Sequence, residues 1–424
     1  MHKFLLIGLL FIFSTANGQI EEVRRITETL CSPEFHGRGY VNKGDSIAAA
    51  FLAEEFQKIG VEPYKKSYLQ PFELNVNTFP AKMELLQDGV KLTPGVHFVV
   101  DPSSGPSPDY HRVKSFKPYL ISGMDLLDEK VFVEKMTEMS QMGSTTIIFD
   151  LTDVSGDTLK QLAPIPASFA NDIPVMQIVD KKFTWSVGRE QLKYPLVYIQ
   201  DSIVNRSGDF DMRIDAKFIE SYKTQNVIAY IPAKKKCSRT VVFTAHYDHL
   251  GRMGLDTYFP GANDNASGTA MLLTMARYFK ENPSDFNVMF IAFAGEEAGL
   301  VGSKYFVEHP LIPLKKIEFL VNLDIMGSGE EGITVVNATL FEEQFKLLEE
   351  INQEKDLLAK VKRRGPAANS DHYWFTKKGV PAFFIYTMGP NKHYHDVFDE
   401  YNELSFNEYD DITALLIEFV KRLK

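Results

Sequence analysis

Val241-Val-Phe-Thr-Ala-His246-Tyr-Asp248-His-Leu-Gly251 is an apolar run that ends in histidine, aspartate and a turn-forming glycine. Gly261-Ala-Asn-Asp264-Asn-Ala-Ser-Gly268 and Ala294-Gly-Glu296-Glu297-Ala-Gly-Leu300 follow the same logic, placing carboxylates in glycine-flanked turns. Three deliveries of nitrogen and oxygen donors to the ends of regular elements predict a metal site.

Around this stretch the apolar runs keep alternating with helical periodicity. Strands are predicted at Asn226–Ile231, Val241–Ala245, Asn287–Phe293, Phe319–Leu323 and Ala382–Tyr386. Helices are predicted at Ser267–Glu281, Leu300–Glu308, Leu340–Asn352, Asp371–Lys378 and Asn407–Leu423. Continuous apolar strands separated by helices imply an α/β fold with a mixed, largely parallel central sheet covered on both faces. In such sheets ligands gather at the carboxyl ends of strands. His246, the Glu296-Glu297 pair and Asp324 all fall there, and His395 lies in the loop after the last strand. Nearer the N-terminus, Val23, Ile26 and Leu30 make one helical stripe. A second helix is predicted over Asp45–Ile59, with Asp45 as its N-cap and Gly60 as its stop.

Residues 71–222 read differently. Short β-like runs (Lys82–Leu86, Tyr119–Ile121, Thr145–Phe149, Pro174–Ile178, Leu196–Ile199) surround one helix, Asp128–Met139. This segment carries no cluster of histidines and carboxylates. It is expected to be an inserted β-rich α+β domain between an N-terminal helical part (19–70) and the catalytic part (223–424).

The 424 residues suffice for a large core and two domains, and 44% hydrophobic with 24% charged content is ordinary for a globular protein. A formal charge of −10 argues against nucleic acid as a partner. His2 and Lys3, the apolar run Phe4–Phe13 and the small residues up to Gly18 have the order of a secretory signal. The run is shorter than the roughly 20 residues that span a bilayer, so an exported, periplasmic or secreted product without stable membrane insertion is expected. Cys31 and Cys237 are the two cysteines, and in an oxidising compartment they could pair or stay free.

Each candidate has a plainer reading when taken alone. His246 could be a core histidine, Asp264 a helix cap and Glu296-Glu297 a helix start favoured by the dipole. Asp324, directly after an apolar strand, needs a partner in any case. The coincidence of all of them favours metal. Together the segments resemble metallopeptidase family twenty-eight, the co-catalytic di-zinc aminopeptidases, over roughly residues 225–424. The resemblance implies two zinc ions per chain, with His246 and Asp324 on one, Glu297 and His395 on the other, and Asp264 bridging them. It implies Glu296 as general base, Asp248 orienting His246 and Asp399 supporting His395. Tyr394 would donate to the oxyanion, with Tyr386 in reserve, and Ser370-Asp371-His372 would lie near the substrate. The implied activity is removal of N-terminal residues from peptides through a zinc-bridging water. The 71–222 segment resembles, less closely, protease-associated domains, on Gln141–Phe149 and Ile173–Gln177. A glutaminyl cyclase, a carboxypeptidase and a non-enzymatic receptor-like domain are the alternatives. The complete ligand set argues against the first and the last.

Overall fold

The computed structural model describes residues 19–109, 115–143 and 145–423. The expected signal sequence therefore lies outside the described residues.

Nine strands form the central sheet. Thr240–His246 lies between Asn287–Phe293 and Ile317–Asp324, parallel to both, and Ile317–Asp324 runs parallel to Ala382–Met388. Gly332–Val336 is antiparallel to Ala382–Met388 and carries the short edge strand Val361–Arg363. On the other side Lys217–Ile231 is antiparallel to Asn287–Phe293 and also pairs with Leu69–Thr78. Four parallel strands thus point their carboxyl ends the same way, with antiparallel strands flanking them.

Successive side chains on a strand face opposite sides, and here both sides are apolar. Val241, Phe243, Ala245, Val288, Phe290 and Ala292 enter one core with the helices Gly44–Ile59, Gly268–Glu281 and Tyr409–Arg422. Val242, Met289, Ile291 and Phe293 enter a second core with Phe306 and Phe375 of the helices Val301–Glu308 and His372–Lys377. Neither face of these strands meets water, which is why the runs read as continuously hydrophobic. The N-terminal stripe Val23, Ile26 and Leu30 joins the first core from a helix over residues 19–31.

Two local expectations need correction. Asp45 is not the N-cap of its helix; Lys43 is, and the helix runs Gly44–Ile59. Asp45 is instead buried, accepting hydrogen bonds from Tyr222 Oη and Thr224 Oγ1, each at 2.7 Å. The Glu296-Glu297 pair does not begin a helix either. It occupies a turn bounded by Gly295 and Gly299, both at positive φ, and the helix starts at Val301.

Leu69–Thr78 and Lys217–Ile231 carry the chain out of the central sheet and back. Between them lies a five-stranded sheet in the order Phe98–Val100, Leu196–Gln200, Val175–Val179, Ile147–Asp150, Tyr119–Ser122, parallel except at its first pair. A three-stranded antiparallel sheet, Phe210–Ile214, Met83–Gln87 and Val90–Lys91, completes the segment. Its core includes Leu250, Met253 and Phe259 from the loop after His246, so the segment packs directly on that loop.

Candidate metal centre

The parallel strands bring His246, Asp324 and the Glu296-Glu297 turn to one end of the sheet. His246 Nε2 lies 3.3 Å from Asp264 Oδ1 and 3.4 Å from Asp324 Oδ1. His395 Nε2 lies 3.1 Å from Asp264 Oδ2 and 3.2 Å from Glu297 Oε2. Asp264 therefore offers one oxygen to each of two donor groups. All five expected ligand residues converge.

Both imidazoles turn Nε2 inward because Nδ1 is held by a main-chain carbonyl. His246 Nδ1 is 3.2 Å from Asp248 O, and His395 Nδ1 is 2.9 Å from Trp185 O. This is the arrangement that prepares a histidine for a metal. It departs from expectation in detail. Asp248 meets the imidazole through its carbonyl, while its carboxylate accepts the Glu296 and Glu297 N–H groups at 3.2 and 3.3 Å. Asp399 does not support His395. It accepts from the N–H groups of Asn263 and Asp264, because the turn around Asp264 presents unpaired donors that a buried carboxylate satisfies.

The electrostatics follow from crowding in a dry place. Burial lowers the basicity of His246, but the negative charges of Asp324 and Glu296 and its hydrogen bond to Asp264 outweigh it and raise its pKa well above the usual value. Burial, reinforced by Glu297, Asp371 and Asp324 and opposed by His246, pushes Glu296 well above the carboxylate range. Burial also raises Glu297, but His395 and His249 more than offset it and hold that carboxyl at about 2. Asp324 Oδ1 is buried and, despite its nearness to His246, accepts no hydrogen bond. A buried carboxylate oxygen without a donor is expensive. With nitrogen and carboxylate donors in two sets sharing Asp264, the residues present fit a pair of divalent ions. Three overlapping groups of potential ligands occur here, drawn from His246, His249, Asp264, Glu296, Glu297 and Asp324.

A cleft of about 270 Å³ opens over the cluster, lined by His246, Asp264, Glu296, Asp324, Tyr386, Tyr394, His395 and Arg364 among others. Tyr394 stacks on His395 with centroids 3.9 Å apart, and Tyr386 reaches the same cleft. Ser370 Oγ donates to Asp324 Oδ2 at 3.3 Å, so that part of the Ser370-Asp371-His372 motif supports a ligand. His372 instead lines a separate cleft of about 340 Å³.

The sequence model of peptidase family M28 matches residues 226–420. Those residues belong to that family. The M28 segment holds every candidate ligand. Aminopeptidase YwaD of Bacillus subtilis is 33% identical over 225 residues, 49% of this chain and 47% of its own length. A probable leucine aminopeptidase of Trichophyton verrucosum is 28% identical, over 52% of this chain and 61% of its own. This chain thus aligns with about half the length of the first of these relatives. Among solved structures, the zinc aminopeptidase BSAP of Bacillus subtilis superposes with a TM-score of 0.67 at 21% identity, covering 95% of this chain and 96% of that one. An aminopeptidase of Aneurinibacillus sp. strain AM-1 superposes with a TM-score of 0.61 at 18% identity, over 95% and 94%. At these identities the likeness shows the fold, a mostly parallel sheet with helices that extends beyond the M28 segment itself.

Two contributors to the site escape sequence reasoning. His249 is fully buried, with Nδ1 2.8 Å from Glu297 Oε1. Its partner lies 48 positions away, so nothing local distinguishes it from a packed core histidine. Arg38 is buried too, and its guanidinium donates to five main-chain carbonyls: Leu30, Tyr247, Pro260, Gly261 and Asp264. The Gly37-Arg38-Gly39 sequence hints at a tight approach, but not at what is approached.

Proposed function

We propose that the protein is an exported zinc-dependent aminopeptidase that binds two zinc ions. One observation carries this reading: the two oxygens of Asp264 face the Nε2 atoms of two different histidines, each beside a further carboxylate. His246 and Asp324 would hold one ion, His395 and Glu297 the other, and Asp264 both. Zinc held there would polarise the scissile carbonyl and make the attacking water more acidic.

The chain's own groups do the rest. Glu296 lines the cleft without being needed as a ligand, and its raised proton affinity suits a group that takes a proton from water and returns it to the leaving amine. Asp248 holds the main chain of both glutamates, keeping base and ligand in register. The Tyr394 hydroxyl, beside His395 and open to the cleft, is the donor for the oxyanion. The segment 71–222, read as an inserted protease-associated-like domain, supplies through Trp185 the carbonyl that orients His395. Residues 1–18 are read as the secretory signal, which N-terminal sequencing of the mature protein near Gln19 would test.

Glu296→Gln should keep about two zinc ions per chain by metal analysis while turnover of aminoacyl substrates falls by at least about a thousandfold. Near-normal turnover would remove Glu296 from the base role. Hydrolysis that survives a chelator would remove the zinc.

A further inference from the structure

Arg363 ends the edge strand Val361–Arg363 of the central sheet, and Arg364 follows it directly, so the two neighbouring side chains leave the chain on opposite sides. Arg363 pairs with Glu342 on the outside. Arg364 turns into the cleft over the metal cluster, among His246, Glu296, Tyr386, Tyr394 and Asn369. Its main chain is anchored, with N donating to Val335 O at 3.0 Å. Its guanidinium lies 5.9 Å from the Tyr386 ring centroid, and Nη1 donates to the Tyr386 hydroxyl at 3.0 Å.

Among the described residues it forms no ion pair, and this one contact is its side-chain hydrogen bond. A guanidinium has five donors in a fixed fork that matches a carboxylate. Most of that fork is unused. Apart from Tyr386, to which Arg364 donates, every other ionisable side chain lining the cleft belongs to the proposed catalytic machinery, and Arg364 is its uncommitted cation.

We propose that Arg364, with Asn369 lining the same cleft, is an anion subsite that binds a carboxylate of the peptide substrate. This rests on the peptidase reading. It makes the preferred substrates short peptides whose free C-terminal carboxylate reaches Arg364, or peptides with an acidic side chain placed there. The cleft, at about 270 Å³, lies just below the range of ordinary ligand sites, which favours the first source.

The test compares kcat/KM for Leu-Gly and Leu-Gly amide, and for glutamyl and leucyl p-nitroanilides, in wild type, Arg364→Ala and Arg364→Lys with zinc content monitored. The expected result is that Arg364→Ala lowers the acid-over-amide preference about 10- to 100-fold, mainly through KM, as loss of a charge-assisted bond predicts. Arg364→Lys should keep part of the preference. A fall in the glutamyl-over-leucyl ratio instead would assign the carboxylate to a side chain. If neither ratio moves, the subsite is overturned. Calorimetric binding of the Leu-Gly acid and amide to zinc-loaded Glu296→Gln, with and without Arg364→Ala, reads the subsite without turnover. Acid-selective binding that disappears with Arg364, in a protein whose wild type hydrolyses nothing, would sink the peptidase reading and keep the subsite. Equal binding of acid and amide, together with an unchanged glutamyl-over-leucyl ratio, would sink the subsite.

Discussion

Arg38 has all five of its N–H donors matched to five carbonyl oxygens, at 2.6 to 3.4 Å, with no solvent exposure. Those carbonyls belong to the N-terminal helix and to the loops that carry Tyr247 and Asp264, so one side chain fixes the entrance of the metal loop. Lysine has three donors and no fork. Arg38→Lys is expected to leave at least two buried carbonyls unpaired and to cost on the order of 3 kcal/mol, measured by denaturant unfolding. Cys31 tests burial by chemistry. Both cysteines are free, and burial pushes the Cys31 thiol up to about 12. Since the thiolate is the reactive form, one thiol per native chain, Cys237, should react with a disulfide reagent near neutral pH. Two should react after unfolding.

At the scale of an element, the turn before the helix Gly268–Glu281 decides how Asp264 is presented. Gly261 begins it at φ +59, and a Cβ there would sit 2.3 Å from both Asp264 O and His249 Cδ2. Gly89, at φ +79, has nothing within 4 Å of an added Cβ. Both positions pay the left-handed penalty of about 1 kcal/mol for alanine, but Gly261→Ala also overpacks the site by about 1–3 kcal/mol. Gly261→Ala should therefore lower the melting temperature clearly more than Gly89→Ala, and it alone should reduce bound zinc. Equal shifts would mean that the turn yields without disturbing the ligand.

At the scale of the whole molecule, the 79–216 segment packs on the loop after His246 and is also tied to the loop of His395 by a short strap. Trp185 N donates to His395 O at 2.8 Å while His395 Nδ1 faces Trp185 O. Trp185 stacks on Phe259 at 4.8 Å, and Lys182 forms an ion pair with the buried Asp396 and donates to Lys392 O. Partners of a ligating histidine commonly set metal affinity within a factor of about 10–100. Lys182→Ala, one step further removed, should weaken one of two zinc sites by up to about tenfold and leave the other, in titrations against a competing chelator. Unchanged affinity at both would reduce the strap to a surface tether.

The sequence by itself determined the alternation of the parallel strands and their helices and named the five candidate ligand residues that the structure brings together. Apolar runs and the polar residues that end them are local facts, and a parallel sheet brings its strand ends together whatever the loops do. The predicted strands Asn287–Phe293 and Leu196–Ile199 lie where the structure has Asn287–Phe293 and Leu196–Gln200. Leu69–Thr78 was not legible as a strand of the central sheet. Its exposed positions and Pro71 suit only an edge, and its partner, Lys217–Ile231, comes well over a hundred residues later. Tertiary structure alone decided which groups hold the ligands in place. Asp399 serves the Asp264 turn rather than His395, main-chain carbonyls orient both histidines, and His249 and Arg38 reach their partners from distant parts of the chain. A carbonyl exists at every position and leaves no signature in the sequence, so only the folded chain shows which ones are used.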